Sequence, residues 1–328
     1  MANLRAGLIG LGMMGRHHAR VLSSLDGVDF IGICDPAVDI SNSAQGRPIC
    51  TSISELISLG LDYAIVAVPT VYHLEIGEEL AAAGVHALIE KPLSNNSITS
   101  KKLISDFAAA GLIGAVGHIE RYNPALQEAR LRLEQLGTLY QVVTRRQGPL
   151  PIRITDVGVV NDLATHDIDL TSWITGQRYG AVSARIAHRT GRMHEDLVVI
   201  TGALDNGLIT NHLVNWLSPL KERLTILTGE NGVFVANTLT ADLTFYANGS
   251  TASKWNEVEH FRGVSEGDVI RYAISKKEPL LTEHENFRDA VLGKPSDIVT
   301  MAQGLTNILV AEAIIRSSEL NKTIDIVY

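Results

Sequence analysis

The sequence predicts two α/β domains, the first on a doubly wound parallel sheet and the second on a large, open, mainly antiparallel one. The chain has 328 residues, more than one ordinary hydrophobic core accommodates. Its first ~120 residues alternate short apolar runs with helical patterns, as strands joined by crossover helices do. From residue 181 to 247 the alternation gives way to successive β-rich runs separated by turn signals. The expected domains are residues 1–120 and 121–328, with the C-terminal helices packing back on the first.

Taken in order, strands are expected at residues 4–9, 28–34, 63–68, 85–89 and 112–116. All are apolar on both faces, as strands covered by helices on each side must be. Helices are expected from Met13, over 72–83 and over 97–110, the last with Ser97 as its N-cap. The pattern changes after GHIERYNPA, residues 117–125. Asn123 and Pro124 start a helix with a capping side chain and then proline at the first helical position; Gly137 closes it after Leu136. Residues 138–147 read as a strand. Asp205-Asn206-Gly207 and Glu230-Asn231-Gly232 each join two β-rich runs as hairpin turns. Helices over 283–292 and 301–320 complete the chain.

Hydrophobic residues make up 45% and charged residues 20%, the composition of a globular protein in water. A net charge of −8 argues against a general nucleic-acid binder. Cys34 and Cys50 are too few for a disulfide framework or a zinc knuckle, and read as small buried residues of a reducing compartment. AGLIGLGMMG, residues 6–15, imitates the apolar part of a signal peptide, but it holds four glycines and no clear cleavage site follows. No apolar run is long enough to span a membrane. A cytoplasmic protein with neither membrane nor nucleic-acid partners is expected.

Gly10, Gly12 and Gly15 form a G-x-G-x-x-G between a predicted strand and a predicted helix, and Asp35 stands 20 residues beyond Gly15 at the end of the second strand. This is the context of a Rossmann dinucleotide site. The glycines allow a tight turn and close approach to a pyrophosphate, and the helix N-terminus carrying Met13 and Met14 favours the anion. Asp35 would bond the adenosine ribose and repel a 2′-phosphate; Pro36 and Ala37 follow it rather than arginine, so NAD is expected in preference to NADP. The alternative is a glycine-rich turn that binds nothing.

VAVPTVYHLEIGEELAAAGVHALIEKPLS, residues 66–94, adds Pro69, His73 and Glu90-Lys91-Pro92, and the second half adds an Asp-x-x-x-His pair, Asp162 and His166. With the glycine motif, these make the chain resemble the glucose–fructose oxidoreductase, inositol dehydrogenase and MocA family along essentially its whole length. The resemblance implies the two domains predicted above, a homodimer or homotetramer built through the open sheet face, and a sugar or polyol substrate. It also extends the expected cofactor contacts to Pro69, Thr70, His73, Glu90 and Lys91, and implies that the Lys91–Pro92 bond is often cis. GHIERYNPA and RRQGPLPIRITDVGVVNDLATHDIDL, residues 145–170, resemble members that oxidise the 3-hydroxyl of UDP-N-acetylglucosamine.

Hydride transfer from a sugar requires a cofactor, a base for the hydroxyl proton and a donor to the developing oxyanion. Lys91, after a strand at the C-terminal edge of the parallel sheet, is the candidate donor. His166 titrates near neutrality and is the candidate base. Asp162, four residues earlier, shares its face if the segment is helical and would orient it. Asp167 and Asp169 read as structural, Asp167 as a cap or salt bridge. His17 and His18 read as helix-surface or packing residues. A metal site drawn from His118, Asp162, His166 and Asp167 lacks a Cys ligand or a His-x-x-x-His pair, and no metal is expected. Residues 121–153 hold six arginines and two acids. Of these arginines, Arg121, Arg146 and Arg153 are candidate contacts to a nucleotide-sugar diphosphate, with Tyr122 and Asn123 beside them. The leading expectation is an NAD-dependent oxidoreductase acting on a secondary sugar hydroxyl, at C3 of a UDP-N-acetyl amino sugar. The alternatives are an inositol, polyol or free-sugar dehydrogenase and, in another class, a non-catalytic dinucleotide-binding sensor or scaffold.

Overall fold

A computed structural model describes residues 3–36, 45–150, 157–249 and 267–328. The chain forms two compact units, Met1–Tyr122 with Lys277–Leu309, and Asn123–Lys276 with Val310–Tyr328.

In the first unit, strands β1 (Leu4–Ile9), β2 (Val28–Cys34), β3 (Ile49–Cys50), β4 (Tyr63–Val66), β5 (His86–Glu90) and β6 (Gly114–Gly117) alternate with helices α1 (Met13–Leu22), α2 (Ile53–Ser58), α3 (His73–Ala82) and α4 (Ser97–Ala109). The strands form one sheet in the order β3-β2-β1-β4-β5-β6, with every pair parallel. The order reverses between β1 and β4, where such sheets open a crevice for a ligand. Neighbouring residues of β4 alternate between two cores, as a strand covered on both faces requires. Ala64 and Val66 join Leu80, Leu103 and Phe107, whereas Tyr63 and Ile65 join Leu22, Phe30 and Phe287. Asn96, one residue before the expected cap, closes the start of α4: its side chain accepts from Thr99 N at 3.0 Å.

In the second unit, α5 (Pro124–Leu131) tightens into a 3-10 turn at Leu133–Leu136 before Gly137, so the helix expected to reach 136 ends earlier. Then come β7 (Leu139–Pro149), α6 (Thr165–Thr175), β8 (Tyr179–Ala187), β9 (Leu197–Leu204), β10 (Ile209–Asn215), β11 (Leu217–Gly229), β12 (Gly232–Asn237), β13 (Asp242–Ala247) and β14 (Val269–Arg271). With β15 (Ile324–Asp325) they make a nine-stranded sheet in the order β14-β13-β12-β11-β7-β10-β9-β8-β15. Among the described strands only β7 and β10 pair in parallel. Both expected hairpins form, β9–β10 and β11–β12. Helices α5 and α6 pack against this sheet over a core containing Trp173, Tyr179 and Phe234. Along β9 the buried Val198 and Ile200 alternate with the exposed Val199 and Thr201, so one face of the strand remains open.

Helix α7 (Pro279–Val291) belongs to the first unit, where it packs against α1. Helix α8 (Met301–Leu320) is continuous but divided between the units after Leu309. Among the described residues no helix is long and apolar enough to cross a membrane.

Candidate active site

The first unit builds a cavity of about 640 Å³ where β1 meets α1. Gly10 takes a positive φ of 92°, and a Cβ there would lie 2.5 Å from the Ala67 carbonyl oxygen, so no other residue fits the turn without strain. Gly15 packs on the Gly10 carbonyl at a distance that leaves no room for a Cβ. Gly12 differs: a Cβ there would meet nothing within 4 Å, because it faces the open side of the turn. Met13 is exposed and Met14 half-buried. No side chain caps the first turn of α1, which leaves its N–H groups for an anion. Asp35 stands in the same wall, and its Oδ2 accepts from Leu11 N at 2.7 Å, fixing the glycine turn to the end of β2. Pro69, Glu75 and Glu79 also line the cavity, and among the described residues that line it there is no Lys or Arg. Open space over a glycine, an uncapped helix and a wall of carboxylates fit NAD, and would repel an added 2′-phosphate.

Lys91 follows β5 and is joined to Pro92 by a cis peptide bond. The turn around it is held from behind. His73, at the start of α3, is 1% exposed; its Nδ1 faces the carbonyls of Pro92 at 3.0 Å and Leu93 at 3.3 Å, and its Nε2 faces that of Val68 at 3.0 Å. It ties the loop after β4, which carries Pro69 and Thr70, to the loop after β5. Burial lowers its pKa, against the pull of those carbonyls. Glu90 is also buried: its Oε1 lies 2.9 Å from His18 Nε2, and its Oε2 accepts from Lys91 N at 3.2 Å. Burial opposes its ionisation, but the His18 hydrogen bond and the charges of His18 and Lys91 outweigh this and hold the carboxyl below its usual range. The structure therefore gives His73 and Glu90, expected at the cofactor, partners inside the protein. His18, expected as a surface or packing residue, is fully buried and chemically engaged.

In the second unit, Asp162 lies in a π turn, Val160–Ala164, and His166 in the first turn of α6 directly after it. The expected single α-helical register is thus widened at Asp162, a distortion that recurs at functional sites. Both side chains are half-buried. Glu195 anchors the turn: its Oε1 accepts from Val160 N and its carbonyl from Val159 N, each at 3.0 Å. Gly158 leaves the space that the Glu195 carboxylate fills. Neither residue stood out in the sequence, because Glu195 is 33 positions from Asp162. Asp167 is buried, and both its oxygens accept from Arg146 Nε at 3.1 Å.

The expected substrate contacts have internal partners too. Arg146 is 3% exposed and paired with Asp167. Arg121, also buried, donates to Gln303 Oε1 at 3.2 Å, and the Tyr122 hydroxyl donates to the Asp297 carbonyl at 3.0 Å. Asn123 caps α5 by accepting from Ala125 N and donates to the Thr238 carbonyl at 3.0 Å. Arg153 lies outside the described residues. His118, once a metal-ligand option, accepts at Nε2 from Asn307 at 3.2 Å.

A glycine turn on an uncapped helix, an acid at the end of β2 and a lysine at the carboxyl edge of a parallel sheet define a dinucleotide-dependent oxidoreductase. Residues 4–118 match the oxidoreductase family's NAD-binding Rossmann fold and residues 134–326 its C-terminal α/β domain; the chain belongs to the glucose–fructose oxidoreductase, inositol dehydrogenase and MocA family. It is similar to a UDP-N-acetylglucosamine 3-dehydrogenase of Acidithiobacillus ferrooxidans, 29% identical over 295 residues that cover 89% of this chain and 90% of that one. A solved structure of that name and organism has a TM-score of 0.85 at 24% identity, covering 98% and 99% of the two chains. An inositol 2-dehydrogenase of Saccharopolyspora erythraea is 29% identical over 192 residues, 56% of this chain and 57% of that one. The WlbA dehydrogenase of Bordetella pertussis, solved with NADH and UDP-GlcNAcA, shares the fold at 20% identity and a TM-score of 0.82, covering 100% and 99%.

Proposed function

We propose that this oxidoreductase converts a secondary hydroxyl of a nucleotide sugar to a ketone, at C3 of a UDP-N-acetyl amino sugar. The observation that carries the reading is the extent of similarity. The UDP-N-acetylglucosamine 3-dehydrogenase aligns over nine-tenths of both chains, whereas the inositol 2-dehydrogenase aligns over little more than half. WlbA's complex with a UDP sugar supports the same substrate class.

NAD, when bound, supplies the hydride acceptor. The turn from Gly10 to Gly15 and the N–H groups of α1 would hold its pyrophosphate, and Asp35 its adenosine ribose. Lys91 donates from its ammonium to the reacting oxygen and stabilises the negative charge that develops there. His166 takes the hydroxyl proton, and Asp162 orients the imidazole and stabilises its protonated form.

Purified protein is mixed with NAD and either UDP-N-acetylglucosamine or myo-inositol, and NADH absorbance is followed. Absorbance rising with the nucleotide sugar alone is the expected result. A rise with inositol alone overturns the substrate reading, and tight NAD binding without turnover of any sugar overturns the enzymatic one.

A further inference from the structure

Behind Lys91 lies a group of ionisable side chains that hydride transfer does not use. His18 on α1, Glu90 at the end of β5, and Glu283 and His284 on α7 are each no more than 8% exposed. Three of them form a chain. His284 Nε2 lies 2.8 Å from His18 Nδ1, His18 Nε2 lies 2.9 Å from Glu90 Oε1, and Glu90 Oε2 accepts from the backbone N–H of Lys91 at 3.2 Å. Gly117 on β6 gives the carboxylate its space: a Cβ there would stand 3.1 Å from Oε1.

The proton positions in this chain follow from its ends. An ionised carboxylate only accepts, so His18 Nε2 carries a proton. His18 Nδ1 faces His284 Nε2 on the other side of the ring. Burial, then the charge of His18, pushes His284 well below its usual pKa and keeps it neutral. Burial, then the charge of Glu90, pushes Glu283 well above its usual range, so it is an uncharged acid. Among the described residues neither oxygen of Glu283 has a hydrogen-bond partner, as a site without charge tolerates best. The group therefore joins one ionised carboxylate, Glu90, to the backbone of Lys91 on one side and to two imidazoles on the other.

We propose that His18 is a positioning residue for Lys91 acting through Glu90, resting on the reading of Lys91 as the donor to the reacting oxygen. Its imidazole holds the carboxylate against the lysine's backbone. Glu90, kept there, places its negative charge beside the Lys91 ammonium. Other ionisable groups on neighbouring elements are His118, next to Gly117, and Glu120 and Arg121 on the 3-10 turn that packs against α7. They are identical in wild type and in the variants below, so differences isolate His18 and Glu90.

The test measures the acylation rate of the Lys91 amine from pH 5 to 10 by peptide mass spectrometry, with NAD binding as the check on fold. His18→Leu, which leaves Glu90 without its donor, is expected to label faster than wild type at pH 8. His18→Gln, which keeps a donor to Glu90, is expected to label at about the wild-type rate. Glu90→Gln is expected to label about threefold to tenfold faster at pH 8, because the carboxylate no longer favours the ammonium. A His18→Leu rate equal to wild type, or an unchanged Glu90→Gln rate, overturns the proposal. Should Glu90→Gln not fold, the two His18 variants decide alone, and equal rates in both overturn it. None of these readouts requires turnover. A shifted labelling profile in a protein that oxidises no sugar therefore overturns the reaction and leaves the coupling, and the converse result does the opposite.

Discussion

Lys91 and His166 are backed in opposite ways. Behind Lys91 is a chain of two histidines and a carboxylate, with a neutral acid nearby. Behind His166 is Asp167 paired with Arg146, and a backbone turn pinned by Glu195. Arginine keeps its charge at any pH a protein survives, whereas a histidine changes charge between about pH 5 and 8. The support in the first unit can respond to its surroundings, and that in the second is a fixed brace.

Whether the second region does chemistry or only bracing is decided at His166. His166→Ala is expected to lower kcat by about 10²–10⁴-fold with NAD affinity unchanged, as loss of a general base does. Steady-state turnover beside an NAD titration checks this; parallel loss of both makes His166 structural. Next, Asp167→Leu takes the carboxylate from a buried guanidinium and is expected to cost about 3–5 kcal/mol in denaturant unfolding. Arg146→Met in the same chain should recover most of that, and a double variant as unstable as the single one means the pair is not the brace. The smallest effect tests the responsive side. Glu283 keeps its proton in the folded protein while the unfolded chain releases it above the usual 4.5, so stability falls as pH rises from there toward the raised value. Glu283→Gln has no proton to lose and is expected to be about 1 kcal/mol more stable than wild type at pH 8, with little difference at pH 4. Thermal unfolding at the two pH values reads it, and an equal change at both removes the pH argument.

What was legible in the sequence was what neighbouring residues decide among themselves. Asn206-Gly207 and Asn231-Gly232 are turn chemistry, and both hairpins form around them. Strands β1 and β2 are apolar but for one exposed charge near the start of each, Arg5 and Asp29, and keep the expected bounds. Strand β3 was illegible because two residues at a sheet edge carry no period, and its pairing with β2 comes from the fold. The parallel contact of β10 with β7 joins segments some 70 residues apart, which no local signal encodes. The same limit governs the site. The glycine turn and Asp35 follow a known spacing, and the structure gathers them around one cavity. His18 and His284 are 266 positions apart, and only a folded chain brings them together. Glu90, His73 and Arg146 carry the residue types of ligand contacts, but type alone does not tell a group that faces a ligand from one that holds a neighbouring loop.

The division of the chain also sets an order in time. The cores of the dinucleotide-binding unit include Phe287, Val299, Met301 and Ile308, which follow the whole strand-rich part of the second unit. During synthesis Leu309 emerges about 190 residues after Tyr122, a delay of roughly 10–40 s at ribosomal speed. Through that interval the glycine turn exists on an incomplete core, and the unit that begins first is finished only when all but the last 19 residues of the chain have been made.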